Sequence, residues 1–197
     1  ATSDRPTTLA FVTLTDGQAS YAFYDENTAG RMLSAADLPP LPDAVTAVFV
    51  GGISLAVEPC ADAYLALAEQ AAAAGALVMC DPNIRPGFIA DEPRYRARLD
   101  RLLAVCDIVK LSDEDLHWLI GDGPLAQGAA RVRDKGPSLV LLTEGAKGVT
   151  AYRDSGEIHV PAAEVTVVDT VGAGDTFNGG FLAGLDASGH MHRAALG

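Results

Sequence analysis

From residue 44 onward, short apolar runs alternate with longer segments whose apolar positions recur every three to four residues. The runs near 45–50, 76–80, 107–110 and 138–142 are too short for helices and read as strands buried on both faces. The helical period fits 58–74, 91–105, 113–120 and 124–135, with Gly75 and Gly121 supplying the left-handed exit that closes two of these helices. Strands and helices in strict turn predict an α/β fold, a doubly wound sheet that is mostly parallel. The two ends of the chain read differently. "LAFVTLTDGQASYAFY" (9–24) is two runs of β-branched and aromatic residues joined by Asp16-Gly17, a turn dipeptide of hairpins, and forms a small flap. A second hairpin is predicted over 148–152 and 157–161, turning at Asp154-Ser155-Gly156, and a last amphipathic helix starts near Gly174. No internal repeat, linker or low-complexity tract interrupts this order, and the alanine run 71–74 is ordinary helix.

A polar cluster follows three of the four predicted parallel strands: "DPNIRP" after 76–80, "LSDED" after the strand that ends on Lys110, and "TEGAKG" after 138–142. Open α/β sheets bind ligands at the carboxyl ends of their strands. The clusters therefore converge on one edge, where the turn Gly172-Ala173-Gly174-Asp175 can join them. This turn is not a dinucleotide fingerprint, because Phe177 stands where a glycine is required, and not a Walker loop, because Gly179 is followed by Gly180. Its small residues let backbone N–H groups approach an anion at a helix start, where the dipole favours negative charge. Alone, it reads equally well as a tight turn with Asp175 in the first helical turn. Arg85 and Asn83 are the strongest polar candidates outside it, since a strand-end Arg suits bidentate binding of phosphate. Lys110 either adds positive charge there or is a surface lysine, and Lys147 either touches phosphate or points into solvent. Ser112 reads as a helix cap with an acidic first turn, Asp113 to Asp115. Tyr21 and Phe23, two residues apart, share a face of the flap strand and either pack there or close over a ligand.

Composition narrows the partners. In 197 residues, 26 acidic against 14 basic side chains give a net charge of −12, which repels phosphate backbones and anionic lipid, so neither nucleic acid nor a membrane is an expected partner. The longest apolar stretch, "AVTAVFVGGISLAV", has 14 residues and is too short to span a bilayer; no signal peptide is apparent. Cys60, Cys80 and Cys106 show neither zinc nor disulfide spacing and read as core thiols of a cytoplasmic protein. His190 and His192 form an H-x-H without a third ligand nearby, and His117 and Trp118 read as structural or surface residues. The chain opens on Ala-Thr-Ser-Asp rather than Met, so a piece of a longer protein is expected.

"DTVGAGDTFNGGFL" (169–182) resembles, at every defined position, the C-terminal signature of the PfkB (ribokinase-like) carbohydrate kinases. "GGISLAVEPCADAYLALAEQAAAAGALVMCDPNIRP", "CDIVKLSDEDLHWLIG" and "LLTEGAKGV" follow in the order and spacing of bacterial fructokinases of that family. The resemblance implies a ribokinase-like sheet with a partial β lid at 1–30 and a nucleotide- and substrate-binding core at 31–197, truncated at both ends relative to the family. It implies that Gly172, Ala173 and Gly174 form an anion hole for the transferred phosphoryl group and that Asp175 deprotonates the sugar hydroxyl. Thr143, Gly145 and Gly148 match the family's T-x-G-x-x-G nucleotide element, to which Lys110, Ser112 and Gly174 are added. Arg85, Asn83, Tyr21 and Phe23 are assigned to substrate. Ser112 and Asp115 occupy its N-x-x-E element, serine and aspartate replacing the commoner asparagine and glutamate, with Asp115 acting indirectly on Mg²⁺. Asp169 and Thr170 correspond to a monovalent cation site for K⁺.

The expected activity is ATP-dependent, Mg²⁺-requiring phosphorylation of a sugar hydroxyl, D-fructose to fructose 6-phosphate, in an enzyme that dimerises through its lid. Kinases of the same family acting on 2-keto-3-deoxygluconate, ribose or nucleosides share the catalytic turn and remain alternatives. A non-catalytic nucleotide-binding domain is the rival of another class, and an NAD-dependent oxidoreductase is disfavoured by Phe177.

Overall fold

The computed structural model describes residues 2–15 and 18–196, the side chains of 14, 15 and 18–21 excepted. Strands β3 (Ala47–Gly51), β4 (Leu77–Asp81), β5 (Ile108–Ser112), β6 (Leu139–Thr143), β7 (Val149–Arg153) and β8 (Gly156–Val160) form one sheet in sequence order. The first four are parallel and the last two antiparallel. Helices α1 (Cys60–Ala73), α2 (Glu92–Val105), α3 (Asp113–Ile120) and α4 (Leu125–Arg133) make the crossovers. A sheet that grows in one direction by right-handed crossovers places all of its crossover helices on one face. Val78, Cys80, Val109, Leu111, Val140 and Leu142 accordingly point at Leu65, Leu99, Leu102, Leu116 and Val132, all at most 3% exposed. The alternate positions Leu77, Met79, Ile108, Leu139 and Leu141 face the other way and meet Phe177, Phe181, Leu182 and Leu185 of α5 (Ala173–Ala187). Each buried aliphatic side chain contributes about 1.5–3 kcal/mol relative to exposure.

Helix boundaries follow local chemistry. The predicted start of α1 at 58 is corrected to Cys60, because Pro59, which has no N–H to donate, occupies the N-cap. At its other end Gly75 (φ +84) donates to Ala72 O at 3.1 Å and Ala76 to Ala71 O at 3.0 Å, a paired C-terminal closure. Asp91 caps α2 through the Arg94 N–H at 3.0 Å, and Ser112 caps α3. The β7–β8 turn is two residues, Asp154-Ser155, rather than three, since Gly156 already pairs with Arg153.

Strands β1 (Leu9–Thr15) and β2 (Gln18–Tyr24) form the expected flap, a separate antiparallel pair; its predicted turn at Asp16-Gly17 lies outside the described residues. It is anchored to the core by Phe23, edge-on to Phe88 with centroids 4.8 Å apart. Below it Thr28 Oγ1 donates to the buried Asp25 carboxylate at 2.9 Å. Leu9, Phe11 and Tyr24 are 50%, 57% and 65% exposed, and Phe11 packs edge-on against Tyr24.

Candidate active site

Register aligns the carboxyl ends of the strands. Gly51 pairs with Asp81 and Ser112 with Thr143, while Cys80 pairs with Val109, so the next residues, Asp81 and Lys110, are cross-strand neighbours. Period-2 alternation sends both toward α5. There Lys110 Nζ lies 3.2 Å from Asp81 Oδ2, with both side chains at most 7% exposed. The surface-lysine alternative for Lys110 is thereby corrected: a buried ammonium needs a counter-ion, and Asp81 supplies it.

Gly172 takes φ +76, a left-handed conformation that glycine adopts without strain, and this turns the chain into α5 over the strand ends. The Ala173 N–H bonds Thr170 O at 3.2 Å and the Thr176 N–H bonds Gly172 O at 2.8 Å. Among the described residues no backbone acceptor meets the N–H of Gly174 or Asp175. A Cβ on Gly174 would lie 3.4 Å from Lys110 Nζ and 4.0 Å from Asp81 Oδ2, so the first turn of α5 rests on that ion pair. The Asp175 side chain is exposed and has no ion-pair or hydrogen-bond partner among the described residues. Free N–H donors, the helix dipole and a nearby ammonium suit an anion; an open carboxylate suits a proton acceptor.

Two clefts meet at this turn. The first, about 430 Å³, is lined by Phe23, Asn83, Arg85, Ser112, Thr170 and Asp175 among others; the second, about 460 Å³, runs between Thr143, Gly145, Gly148, Val160 and Phe177. Lys110 and Gly174 line both. Most of the candidates thus come together. Arg85 is exposed, donating to Ile84 O at 2.8 Å with no carboxylate partner among the described residues. Asn83 adopts φ +43, its N–H bonded to Asp81 Oδ1 at 3.2 Å. Ser112 Oγ accepts the Asp115 N–H at 3.0 Å, so it caps α3 and still lines the cleft. Asp115 is buried, its Oδ1 accepting the Ile84 N–H at 2.7 Å and its Oδ2 the Ser112 N–H at 3.1 Å. It spends its carboxylate tying the "DPNIRP" loop to α3. Asp169 lies on the far side of the turn from Thr170, in a groove with Phe177 and Phe181, and accepts the Val171 N–H at 2.9 Å. Lys147 is exposed, 3.4 Å from Glu144. The Tyr21 side chain lies outside the described residues.

Sequence reasoning passed over Asp81, Asn178 and Phe88. Asn178 Nδ2 donates to Asp81 Oδ2 at 2.8 Å, and Phe88 walls the first cleft beside Phe23. Asp81 carried one cue, a charged residue ending a fully buried strand. The thiols are in the core as expected. Cys60 is pushed up to about 11, chiefly by burial, and Cys80 is held well above the ordinary thiol range by its hydrogen bond with Cys106 and by burial. Neither is primed as a nucleophile.

A mostly parallel sheet with two unbonded N–H groups at a helix start, an open carboxylate and two adjoining clefts at its strand ends defines an α/β protein whose candidate site lies on one sheet edge. The chain belongs to the pfkB family of carbohydrate kinases, whose family model matches residues 1–196. It is 51% identical over 185 residues to a fructokinase of Rhizobium leguminosarum bv. trifolii, covering 94% of this chain and 56% of that protein. With a fructokinase of Klebsiella pneumoniae it shares 39% identity over 174 residues, 88% of this chain and 56% of the relative. The chain therefore spans little more than half the length of these curated relatives. Among solved structures, the Vibrio cholerae O395 fructokinase bound to fructose, ADP and calcium superposes with a TM-score of 0.82 at 27% identity, covering 95% of this chain and 63% of that one. The Xylella fastidiosa fructokinase with bound ATP gives 0.80 at 30% identity, over 93% of this chain and 58% of that one. Among the described residues no helix is long and apolar enough to cross a membrane.

Proposed function

We propose that the intact protein transfers the terminal phosphoryl group of ATP to D-fructose, giving fructose 6-phosphate in the cytoplasm. The observation that carries this reading is the open Asp175 carboxylate on a helix start with two free N–H donors, where two clefts join. Phosphoryl transfer needs positioning, stabilisation of charge on the transferred group and a base at the acceptor hydroxyl. Asp175 takes the hydroxyl proton, and the 172–174 backbone receives the phosphoryl oxygens. Arg85, Asn83, Phe23 and Tyr21 hold the sugar, while Thr143, Gly145, Gly148, Ser112 and Lys110 hold the nucleotide. The hairpin at 1–30 acts as a lid on the core at 31–197.

With Asp81 paired to Lys110, the first cleft still carries Glu114, Asp115 and Asp175 against Arg85; among the described residues no three such groups lie close enough to hold a metal by themselves, so the excess suits a divalent ion carried in by the phosphates. A bound Mg²⁺ would neutralise phosphate charge; Asp115, with both oxygens bonded to amides, would serve it indirectly by placing Ser112 at the cleft. Asp169 keeps one oxygen without a partner among the described residues, which fits K⁺ behind the turn. The exposed Leu9, Phe11 and Tyr24 face suits a homodimer, and elution of the intact protein as a monomer would remove that part.

Coupled assays with fructose, ribose and 2-keto-3-deoxygluconate decide the substrate, and preference for either of the latter two overturns fructose. Asp175→Asn is expected to leave ATP binding intact and lower kcat by roughly 10²–10⁴-fold. Near wild-type kcat in that variant would discredit the base. ATP binding without turnover on any sugar would favour a non-catalytic domain.

A further inference from the structure

Asp81 sits where β4, β5 and α5 meet, beneath the turn that opens α5. Its carboxylate ends β4, yet it bonds to three other segments: the Asn83 N–H of its own loop, Lys110 of β5, and Asn178 of α5. Asn178 lies three and four residues beyond Asp175 and Gly174, so all three share the face of α5 that meets the strand ends. Only the NH₂ end of its amide can donate to a carboxylate, which fixes its orientation and leaves Oδ1 buried without a partner. An apolar side chain would avoid that orphaned oxygen, so the position makes use of the amide donor. Lys110 has three N–H donors and, among the described residues, one anionic partner, so donors remain for a ligand where the two clefts meet.

We propose that Asp81 and Asn178 are positioning residues. Together they hold the Lys110 ammonium beneath Gly174 and lock the first turn of α5 to the strand ends, so that cation, free N–H groups and Asp175 keep one geometry around the transferred phosphoryl group. The proposal rests on the kinase reading above. Losing this preorganisation lowers turnover more than sugar affinity, because the network acts chiefly on the Lys110 ammonium and the first turn of α5 and reaches the sugar loop only through the Asn83 N–H.

The test uses the intact protein with ATP and fructose, and amide hydrogen exchange without ligand. Asp81→Asn is expected to lower kcat about 100-fold and Asn178→Leu about 10-fold, each with the fructose KM within about threefold of wild type. Both variants should speed exchange at the amides of Thr176, whose N–H bonds Gly172 O, and Phe177, the first that the helix bonds of α5 protect. The double variant Asp81→Asn/Lys110→Met removes both buried charges; it should melt close to wild type while remaining about 100-fold slow. Recovery of wild-type kcat in this double variant would show that the pair only fills the core and would overturn the proposal. Unchanged exchange at Thr176 and Phe177 in both single variants would overturn it too, and that readout does not depend on activity. A wild-type protein inactive on every sugar refutes the kinase reading, while the exchange result still decides whether the network holds the turn.

Discussion

Gly148 and Gly145 stand in the same motif, but the structure gives them different jobs, and alanine at each separates them. Gly148 has φ +106 and ψ −144, a region open essentially to glycine alone. A Cβ there would lie 2.1 Å from Val160 O, 2.7 Å from Ala162 N and 2.8 Å from Pro161 C. All three are backbone atoms, so no rotamer change relieves the clash and the 160–162 segment must move. Conformational strain of about 1–3 kcal/mol adds to that displacement, for a cost of about 3 kcal/mol or more. For a chain of this size about 3 kcal/mol lowers Tm by roughly 6–12 °C. Gly145 has φ +56 with nothing within 4 Å of the added Cβ, so alanine there costs only about 1–2 kcal/mol. Val160, Pro161 and Ala162 also line the second cleft. Gly148→Ala should therefore raise the KM for ATP about tenfold or more while moving the fructose KM little. Thermal melts and steady-state kinetics on both variants check this. Equal melting temperatures, or a Gly148→Ala variant with the wild-type KM for ATP, would refute the argument that close backbone approach requires this glycine.

Other groups make further predictions. Cys60 donates to Val57 O at 3.2 Å, and burial raises it to about 11; since its folded value lies above its unfolded value near 9, its contribution is fully present below pH 9 and is lost as pH rises through 11. Wild type should lose up to about 2.7 kcal/mol relative to Cys60→Ala between those limits, and parallel stability–pH curves would contradict it. Arg98, 5% exposed, bonds Leu55 O, Glu58 and Asp62 across the α1–α2 seam, so Arg98→Met should destabilise by about 2–3 kcal/mol in urea titration; a change under about 0.5 kcal/mol would show these bonds to be neutral. Phe88 and Phe23 line both the first cleft and a neighbouring cavity of about 720 Å³. Phe88→Ala joins the two spaces, and the fructose KM should rise several-fold, about 1 kcal/mol of lost sugar contact; an unchanged KM would place the sugar elsewhere.

How much of this was legible depended on the range of the interaction that decides each feature. The parallel strands were readable because burial on both faces leaves nearly unbroken apolar runs, as in Leu77–Asp81. The same uniformity hid which face each residue takes, and with it the fate of Lys110. Helix ends set by their own residues, such as the Ser112 cap and the Gly75 exit, were readable, whereas the start of α1 moved by two residues because Pro59 occupies the cap. The convergence of polar clusters followed from parallel topology alone, and the matching register of Gly51, Asp81, Ser112 and Thr143 is its physical expression.

What sequence could not supply was partnership between distant residues. Asn178 meets Asp81 across 97 positions, and Asp115 meets Ile84 across 31. In both cases local chemistry offers an adequate smaller role, an acceptor for the turn after β4 for Asp81 and an acidic first turn of α3 for Asp115. Each of those local roles holds, since the Asn83 N–H does bond Asp81 and Asp115 does close the cap on Ser112. The long-range bond is added through an atom that the local one leaves free, the second carboxylate oxygen of Asp81 and, for Asp115, the one turned toward the "DPNIRP" loop. A carboxylate at the end of a buried strand has more acceptor sites than its turn consumes, and burial requires that the surplus be met. That surplus is readable in sequence as a demand for a donor, and the fold alone shows that the donors are Lys110 and Asn178.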